Sequence, residues 1–318
     1  MKFGIIGTNW ITDRFIEAGK VTEGFELHSV YSRTMDRAKA FSERHNFPNY
    51  TDNFDTFLAD DALEAIYIAT PNIYHHQQAI QAMNHKKHVL SEKPITTSLK
   101  NFNLMVQAQE NNGVHFMEAM KSIYSPAYLK LKTWIDEIGT VRRVNFHYNQ
   151  YSSRFDKYKS GIIENAFKPE LGNGALMDLG VYTISPLVDL FGYPKTVQAT
   201  GKILSTGADC QGTVICNYHN MTALLSFSKI IDSHLPSEII GEEGIITIDK
   251  ISAPSHIVKM NRAGEVIDTF SCDGLPMQYE IAHFIKAINE GSNDFNIETS
   301  SKTMQLIDEI KVQMDLLF

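Results

Sequence analysis

The sequence is poor in the features that would commit it to several specialised classes. It has three cysteines in 318 residues, Cys210, Cys216 and Cys272. They are too few and too irregularly spaced for a disulfide framework or a thiolate zinc site. Free thiols in a cytosolic protein are the plain reading. None of the 12 histidines sits in a His-Glu-x-x-His motif, and the adjacent His75 and His76 would diverge on a helix, so no metal site is expected. No apolar run reaches the ~18 residues of a membrane helix. The apolar start breaks at Thr8-Asn9, too soon for a signal peptide. Basic excess is lacking too: 29 Lys and Arg face 37 Asp and Glu, for a net charge of -8. They are interspersed, which leaves no face for nucleic acid or anionic lipid. What is present is a balance of 43 % hydrophobic and 21 % charged residues, that of a globular protein with a sizeable core. The length suits about two domains.

The first 120 residues alternate short apolar runs with amphipathic stretches. Lys2–Gly7, Glu26–Tyr31, Ala65–Ala69, His88–Leu90 and Val114–Met117 read as strands buried on both faces. Ile73, Ile80 and Met83 share one helical face, and so do Leu99, Phe102 and Val106. Such alternation gives parallel strands with right-handed crossovers. After residue 120 the period changes to two, in Val144–Tyr148, Val197–Ala199 and Val214–Tyr218. Leu224–Phe227, Ile245–Ile248, Ile257–Met260 and Val266–Phe270 continue the strands, with Gly-containing turns between several of them. Met304, Ile307, Ile310, Met314 and Leu317 close the chain at helical spacing. The fold class is therefore α/β: a doubly wound Rossmann domain over 1–120, then an α+β domain over 121–318 built on an open, mostly antiparallel sheet. Val144, Phe146, Tyr148, Leu225 and Phe227 are candidates for one or other face of that sheet. An open apolar face suggests a homodimer or higher homo-oligomer.

Residues 2–15, KFGIIGTNWITDRF, nearly match a dinucleotide-binding turn. Gly7 supplies the first glycine, but Asn9 and Thr12 stand where the second and third belong. Asn tolerates a left-handed backbone and is the least disruptive replacement. On its own the fragment is equally an ordinary strand–helix turn. At the end of the next strand Ser32-Arg33 replaces the acid that binds a ribose 2′-hydroxyl. A hydroxyl and a guanidinium suit a 2′-phosphate.

The chemistry concentrates in two blocks. In VLSEKPI, residues 89–95, Lys93 lies at a strand end, where ligand crevices form, and Pro94 pins the backbone beside it. In GNGALMDLGVYTI, residues 172–184, two glycines precede a helical pattern on which Asp178 and Tyr182 are four apart and share a face. A nearby ammonium favours phenolate, so Tyr182 can take an alcohol's proton while hydride leaves its carbon.

In order and spacing the Gly7 loop, Ser32-Arg33, ATPNIYH at 69–75, HVLSEKP at 88–94, MEA at 117–119 and GNGALMDLGVY at 172–182 resemble the Gfo/Idh/MocA family of NAD(P)-dependent oxidoreductases. The resemblance makes the opening fragment a phosphate cradle. It implies cofactor contacts from Gly7, Thr8, Asn9, Trp10, Ile11, Ser32, Arg33, Thr70, Pro71, Asn72, His75, Glu92 and Lys93. It implies Lys93 as the catalytic lysine and Asp178 as the aspartate of the Gly-rich block, orienting either the substrate hydroxyl or the lysine. Tyr182 replaces a common histidine, as in the branch resembling dimeric dihydrodiol dehydrogenase and glucose–fructose oxidoreductase. That branch favours NADP, with NAD possible. Lys121 and Ile123 stand near positions that hold Trp and Arg in close relatives, so the pocket differs; Lys121, Lys168, Asp178 and Tyr182 are the expected substrate contacts. The expected reaction is hydride transfer with a sugar, polyol or diol. Alternatives are a glycoside hydrolase with a retained NAD and a non-catalytic NAD(P)-binding regulator.

Overall fold

In the computed structural model, which describes residues 1–316, the apolar runs of the first part become strands buried along most of their length, the second of them, Glu26–Tyr31, only toward its carboxyl end. Six strands, β1 (Lys2–Ile6), β2 (Glu26–Tyr31), β3 (Asn49–Thr51), β4 (Ala65–Ile68), β5 (His88–Glu92) and β6 (Phe116–Ala119), form one sheet in the order β3-β2-β1-β4-β5-β6. Every pairing is parallel. Phe3, Ile5, Ile66, Ile68, Val89 and Leu90 lose all exposure, which is why these strands show no alternation. The order reverses between β1 and β4, and the carboxyl ends of the strands beside that point are where such sheets bind ligands. β3 escapes the sequence pattern because it is three residues long and mostly exposed.

The helix Asn72–Asn84 buries His75, Ala79, Ala82 and Met83; of the Ile73–Ile80–Met83 face that the apolar spacing suggests, Met83 is fully buried and Ile73 and Ile80 half-buried. Two alanines let the helix approach the sheet closely, so small residues share its inner side with Met83 and His75. The first unit also regains chain after residue 273: it comprises Met1–Ala119 and Gly274–Glu298, and the second Met120–Asp273 and Thr299 onward. The simple division into 1–120 and 121–318 is corrected accordingly. The helix Gln278–Asn289 buries Ile281, Phe284 and Ile285, and Phe284 meets Phe3 at 6.1 Å between ring centroids.

The second unit holds β7 (Val141–Asn149), β8 (Thr196–Ile203), β9 (Asp209–Asn217), β10 (Thr222–Ser228), β11 (Ser237–Gly241), β12 (Gly244–Ile248), β13 (His256–Asn261) and β14 (Val266–Ser271). They run in the order β14-β13-β12-β11-β7-β10-β9-β8, antiparallel except for β7 beside β10. Val144, Phe146, Leu225 and Phe227 are all buried on one face. Leu225 lies opposite Phe146, and Phe227 opposite Tyr148. All five candidates thus belong to the covered face. The other face carries Ile215, Leu224, Ile240, Ile245, Val258 and Met260, each half-buried. In the C-terminal helix Ile297–Gln313, Met304, Ile307 and Ile310 face inward; Leu317 lies outside the described residues. One helical stretch, Pro169–Phe191, is long and apolar enough to cross a membrane, where none was expected, but 78 % of its apolar window is buried inside the protein. Among the described residues no cluster of three His, Cys, Asp or Glu could hold a metal ion.

Candidate active site

The first unit presents loops at the carboxyl ends of β1, β2, β4 and β5. Gly7 follows β1 with φ +107°, and a Cβ there would stand 2.5 Å from Ala69 O. Only glycine fits the turn. Asn9 is not left-handed, contrary to expectation. Its backbone is extended, and it caps the helix Trp10–Lys20 by accepting from Ile11 N. Its Nδ2 also donates to Ala69 O at 2.6 Å. The side chain thus ties the β1 loop to the β4 loop, a bond no glycine could make. Thr12 is fully buried and donates from Oγ1 to Gly7 O at 2.8 Å, replacing close packing by a hydrogen bond. Trp10 is 64 % exposed beside it. Ser32 and Arg33 follow β2; Ser32 is buried, its N–H on Thr51 O, and Arg33 is exposed.

At the end of β4, Thr70 bonds Gln78 Oε1 through its hydroxyl at 2.6 Å. Pro71 precedes the helix that starts at Asn72. His75 is 1 % exposed, its ring nitrogens 2.9 Å from Pro94 O and 2.7 Å from Thr70 O. Burial, helped by the charge of Lys93, holds its pKa below the usual histidine value. A neutral ring carries one proton and so donates to one of these carbonyls. Its side chain is turned inward and joins the loops after β4 and β5. Glu92 is turned inward as well, accepting from Tyr67 Oη at 2.5 Å. Tyr67 in turn stacks on Phe15 at 3.5 Å. Lys93, next in the chain, is half-buried. The far side of its loop is fixed by Ile95 N, which donates to Glu118 Oε1 at 2.9 Å. The structure therefore gathers the Gly7, Ser32, Thr70 and Lys93 loops along one sheet edge. The Gly7 turn that a Cβ would fill and the helix N-terminus behind it fit a pyrophosphate.

In the second unit Asp178 and Tyr182 lie on one helical run, but not a uniform one. Leu176–Gly180 is a π-helical turn, and α-helix continues over Val181–Phe191. Such a bulge is common at functional sites. Pro186, inside that helix, has no N–H to offer the carbonyl of Tyr182 four residues back. Asp209 holds the start of the run: its Oδ2 accepts from Leu176 N at 2.6 Å. A Cβ on Gly174 would collide with Asp209 Oδ1, so the glycine admits this carboxyl. Burial pushes the Asp209 pKa up to about 6, against the pull of the Leu176 hydrogen bond and the Lys229 charge.

Asp178 Oδ2 lies 2.9 Å from Lys229 Nζ, with side-chain exposures of 42 % and 4 % respectively. Tyr182 is 5 % exposed, packed edge-on against Tyr148 at 5.7 Å. Lys121 Nζ sits 5.4 Å from its ring centroid, within cation–π reach. Lys168 falls between two short 3-10 turns, Asn165–Phe167 and Pro169–Leu171. Lys229 and Asp209 were not legible as site residues. The single hint was a lysine closing the alternating strand Leu224–Phe227, one residue beyond Ser228.

A family model described as an oxidoreductase family with an NAD-binding Rossmann fold matches residues 1–120. The GFO/IDH/MocA C-terminal domain model matches residues 128–247. The chain is 44 % identical to the NADP-dependent scyllo-inositol 2-dehydrogenase IolU of Bacillus subtilis, covering 100 % of this chain and 98 % of that one. It is 25 % identical to a trans-1,2-dihydrobenzene-1,2-diol dehydrogenase of Xenopus laevis over 100 % and 99 % of the two chains. The fold matches that of KijD10, a 3-ketoreductase from Actinomadura kijaniata solved with NADP and TDP-benzene. The TM-score is 0.87 at 21 % identity, over 99 % of this chain and 98 % of that one. With both of its domains matched and a full-length relative at that identity, the chain belongs to the Gfo/Idh/MocA family of oxidoreductases.

Proposed function

We propose that the protein is an NADP-dependent dehydrogenase of a cyclic polyol, oxidising one secondary hydroxyl to a ketone or running the reverse reaction. The observation that carries this is Ser32-Arg33 after β2, where an acid would select NAD. The full-length likeness to an NADP-dependent inositol dehydrogenase supports both the cofactor and the substrate class. The Gly7 loop, Ser32 and Arg33 would hold NADP, which would supply the hydride acceptor for oxidation and the hydride donor for reduction. Tyr182 Oη takes the hydroxyl proton during oxidation and returns it during reduction. The Lys93 ammonium stabilises negative charge on the substrate oxygen as that proton moves. Asp178 accepts a hydrogen bond from a substrate hydroxyl and fixes its orientation. Lys121, over the Tyr182 ring, contributes to the substrate pocket, and Lys168 to its rim.

The protein works in the cytosol as a homo-oligomer, without a nucleic-acid or membrane partner. Three free cysteines support the compartment. The test is turnover by the purified chain of inositols, other polyols, sugars and diols with each cofactor. Polyol-dependent reduction of NADP+ is the expected result. Activity on glycosides without added cofactor would instead support the retained-NAD hydrolase, and cofactor binding without turnover the regulator.

A further inference from the structure

Asp178 is not held by its own helix alone. Lys229, at the end of β10, reaches it with an ammonium that is almost wholly buried, its side chain 4 % exposed. The surroundings of that ammonium are few and specific. Asp178 Oδ2 lies at 2.9 Å, Ala166 O at 3.4 Å, and the Phe167 ring centroid at 5.6 Å. Asp209, fully buried, adds a second carboxyl in electrostatic reach. The lysine backbone is pinned from both sides, its N–H on Cys210 O at 2.8 Å and its carbonyl accepting from Ser152 N at 2.9 Å. A buried ammonium costs several kcal/mol unless a carboxylate meets it. Lys229 therefore demands an ionised partner, and Asp178 is the partner within hydrogen-bond distance. Asp178 itself keeps 42 % of its side chain exposed. The carboxylate is thus anchored by the buried ammonium while part of its side chain stays exposed.

We propose that Lys229 is a positioning residue for the reaction: it locks Asp178 in one orientation and in the ionised state, ready to accept a substrate hydroxyl. Asp209 completes the support. It holds the first turn of the same helix through Leu176 N and the same lysine through charge. β9, β10 and the helix bearing Asp178 and Tyr182 are thereby joined by one buried ionic network. This rests on the reading of Asp178 as a substrate-orienting group.

The test compares the full-length protein with Lys229→Met, Lys229→Gln, Lys229→Arg, Asp178→Asn and the Lys229→Met/Asp178→Asn double variant, using polyol oxidation with NADP+. Lys229→Met and Lys229→Gln are expected to lower kcat/KM about tenfold or more, the loss of one charge-assisted contact. The acid limb of their kcat/KM profile moves to higher pH, because a carboxylate without its ammonium protonates more readily. NADPH affinity stays within about twofold of the parent, since the groups that hold it lie elsewhere. Lys229→Arg recovers much of the loss. The double variant is no worse than Asp178→Asn alone, because both changes disable one device. A Lys229→Met protein with unchanged kcat/KM and pH profile, beside an impaired Asp178→Asn, would overturn the positioning role and leave the proposed function standing. Parent turnover unaffected by Asp178→Asn would instead remove the reading on which the role rests. Failure of both neutral variants to fold would make Lys229 a structural residue and overturn the proposal.

Discussion

Arg33 and Tyr182 carry the sharpest consequences at the scale of single residues. Arg33 is exposed at the end of β2, where its guanidinium can pair with a 2′-phosphate. Arg33→Ala is expected to weaken NADP by about ten- to a hundredfold, the worth of one charge-assisted contact of about 1.5–3 kcal/mol. NAD binding should change little; titrating both cofactors checks this, and an equal loss for both would contradict it. Tyr182 is nearly buried, between Tyr148 and the Lys121 ammonium. Tyr182→Phe keeps that packing and removes only the hydroxyl. Turnover should fall on the order of 10²–10⁴ with cofactor affinity retained. Steady-state kinetics across pH decide it, since a residue serving only as core would tolerate the change.

Elements add constraints that no single side chain shows. The β1 turn depends on Gly7: a Cβ would meet Ala69 O at 2.5 Å, at a φ of +107°. Gly7→Ala should therefore lower the melting temperature and abolish tight cofactor binding together, as thermal melts with and without NADP would show. The helix bearing Asp178 and Tyr182 starts on the buried Asp209, whose pKa is pushed up from 3.8 to about 6. The folded state then binds the proton more tightly than the unfolded one. Stability contributed through this group is present at low pH and declines as pH rises between 3.8 and about 6. The decline is on the order of 3 kcal/mol. Asp209→Asn, which does not titrate, should lack it; denaturant midpoints of both proteins across that window are the check. An identical pH slope in the two would contradict the assignment.

The same elements mark what was legible in the sequence. Buried strands such as β1 and β4 announce themselves by unbroken apolar runs, and Gly7 by its place after one. Lys93 and Asp178 were visible from chain order and spacing, because a strand end and a glycine-flanked helix start are local signals. Lys229 and Asp209 were not. Lys229, 51 positions from Asp178, and Asp209, 20 positions before Lys229, reach this helix only through the topology of the sheet, and each reads locally as an ordinary strand-end polar residue. The face of the helix Asn72–Asn84 was read only in part, at Met83, for a different reason. Close packing selected Ala79 and Ala82 over the larger apolar side chains that dominate a periodicity count.

For the whole molecule, the second unit's sheet is the ground for the proposed assembly. Its covered face absorbs Val144, Phe146, Leu225 and Phe227. Six half-buried aliphatic residues remain on the other face, among them Leu224, Ile240 and Ile245, interleaved with Arg143, Asn145 and Glu238. A second copy of the chain would bury that mixture. Light scattering should give at least twice the 35.9 kDa chain mass, and Leu224→Glu should reduce it toward one chain. A monomer at micromolar concentration would contradict the assembly. The central claim, NADP-dependent oxidation of a cyclic polyol, is tested most directly by one measurement: nicotinamide absorbance after mixing the purified protein with scyllo-inositol and either NADP+ or NAD+. The expected result is NADPH formation equal to the ketone produced, faster with NADP+ than with NAD+ and lost in Tyr182→Phe. Absence of NADPH with scyllo-inositol and every other polyol tested, from protein that binds the cofactor, would contradict it.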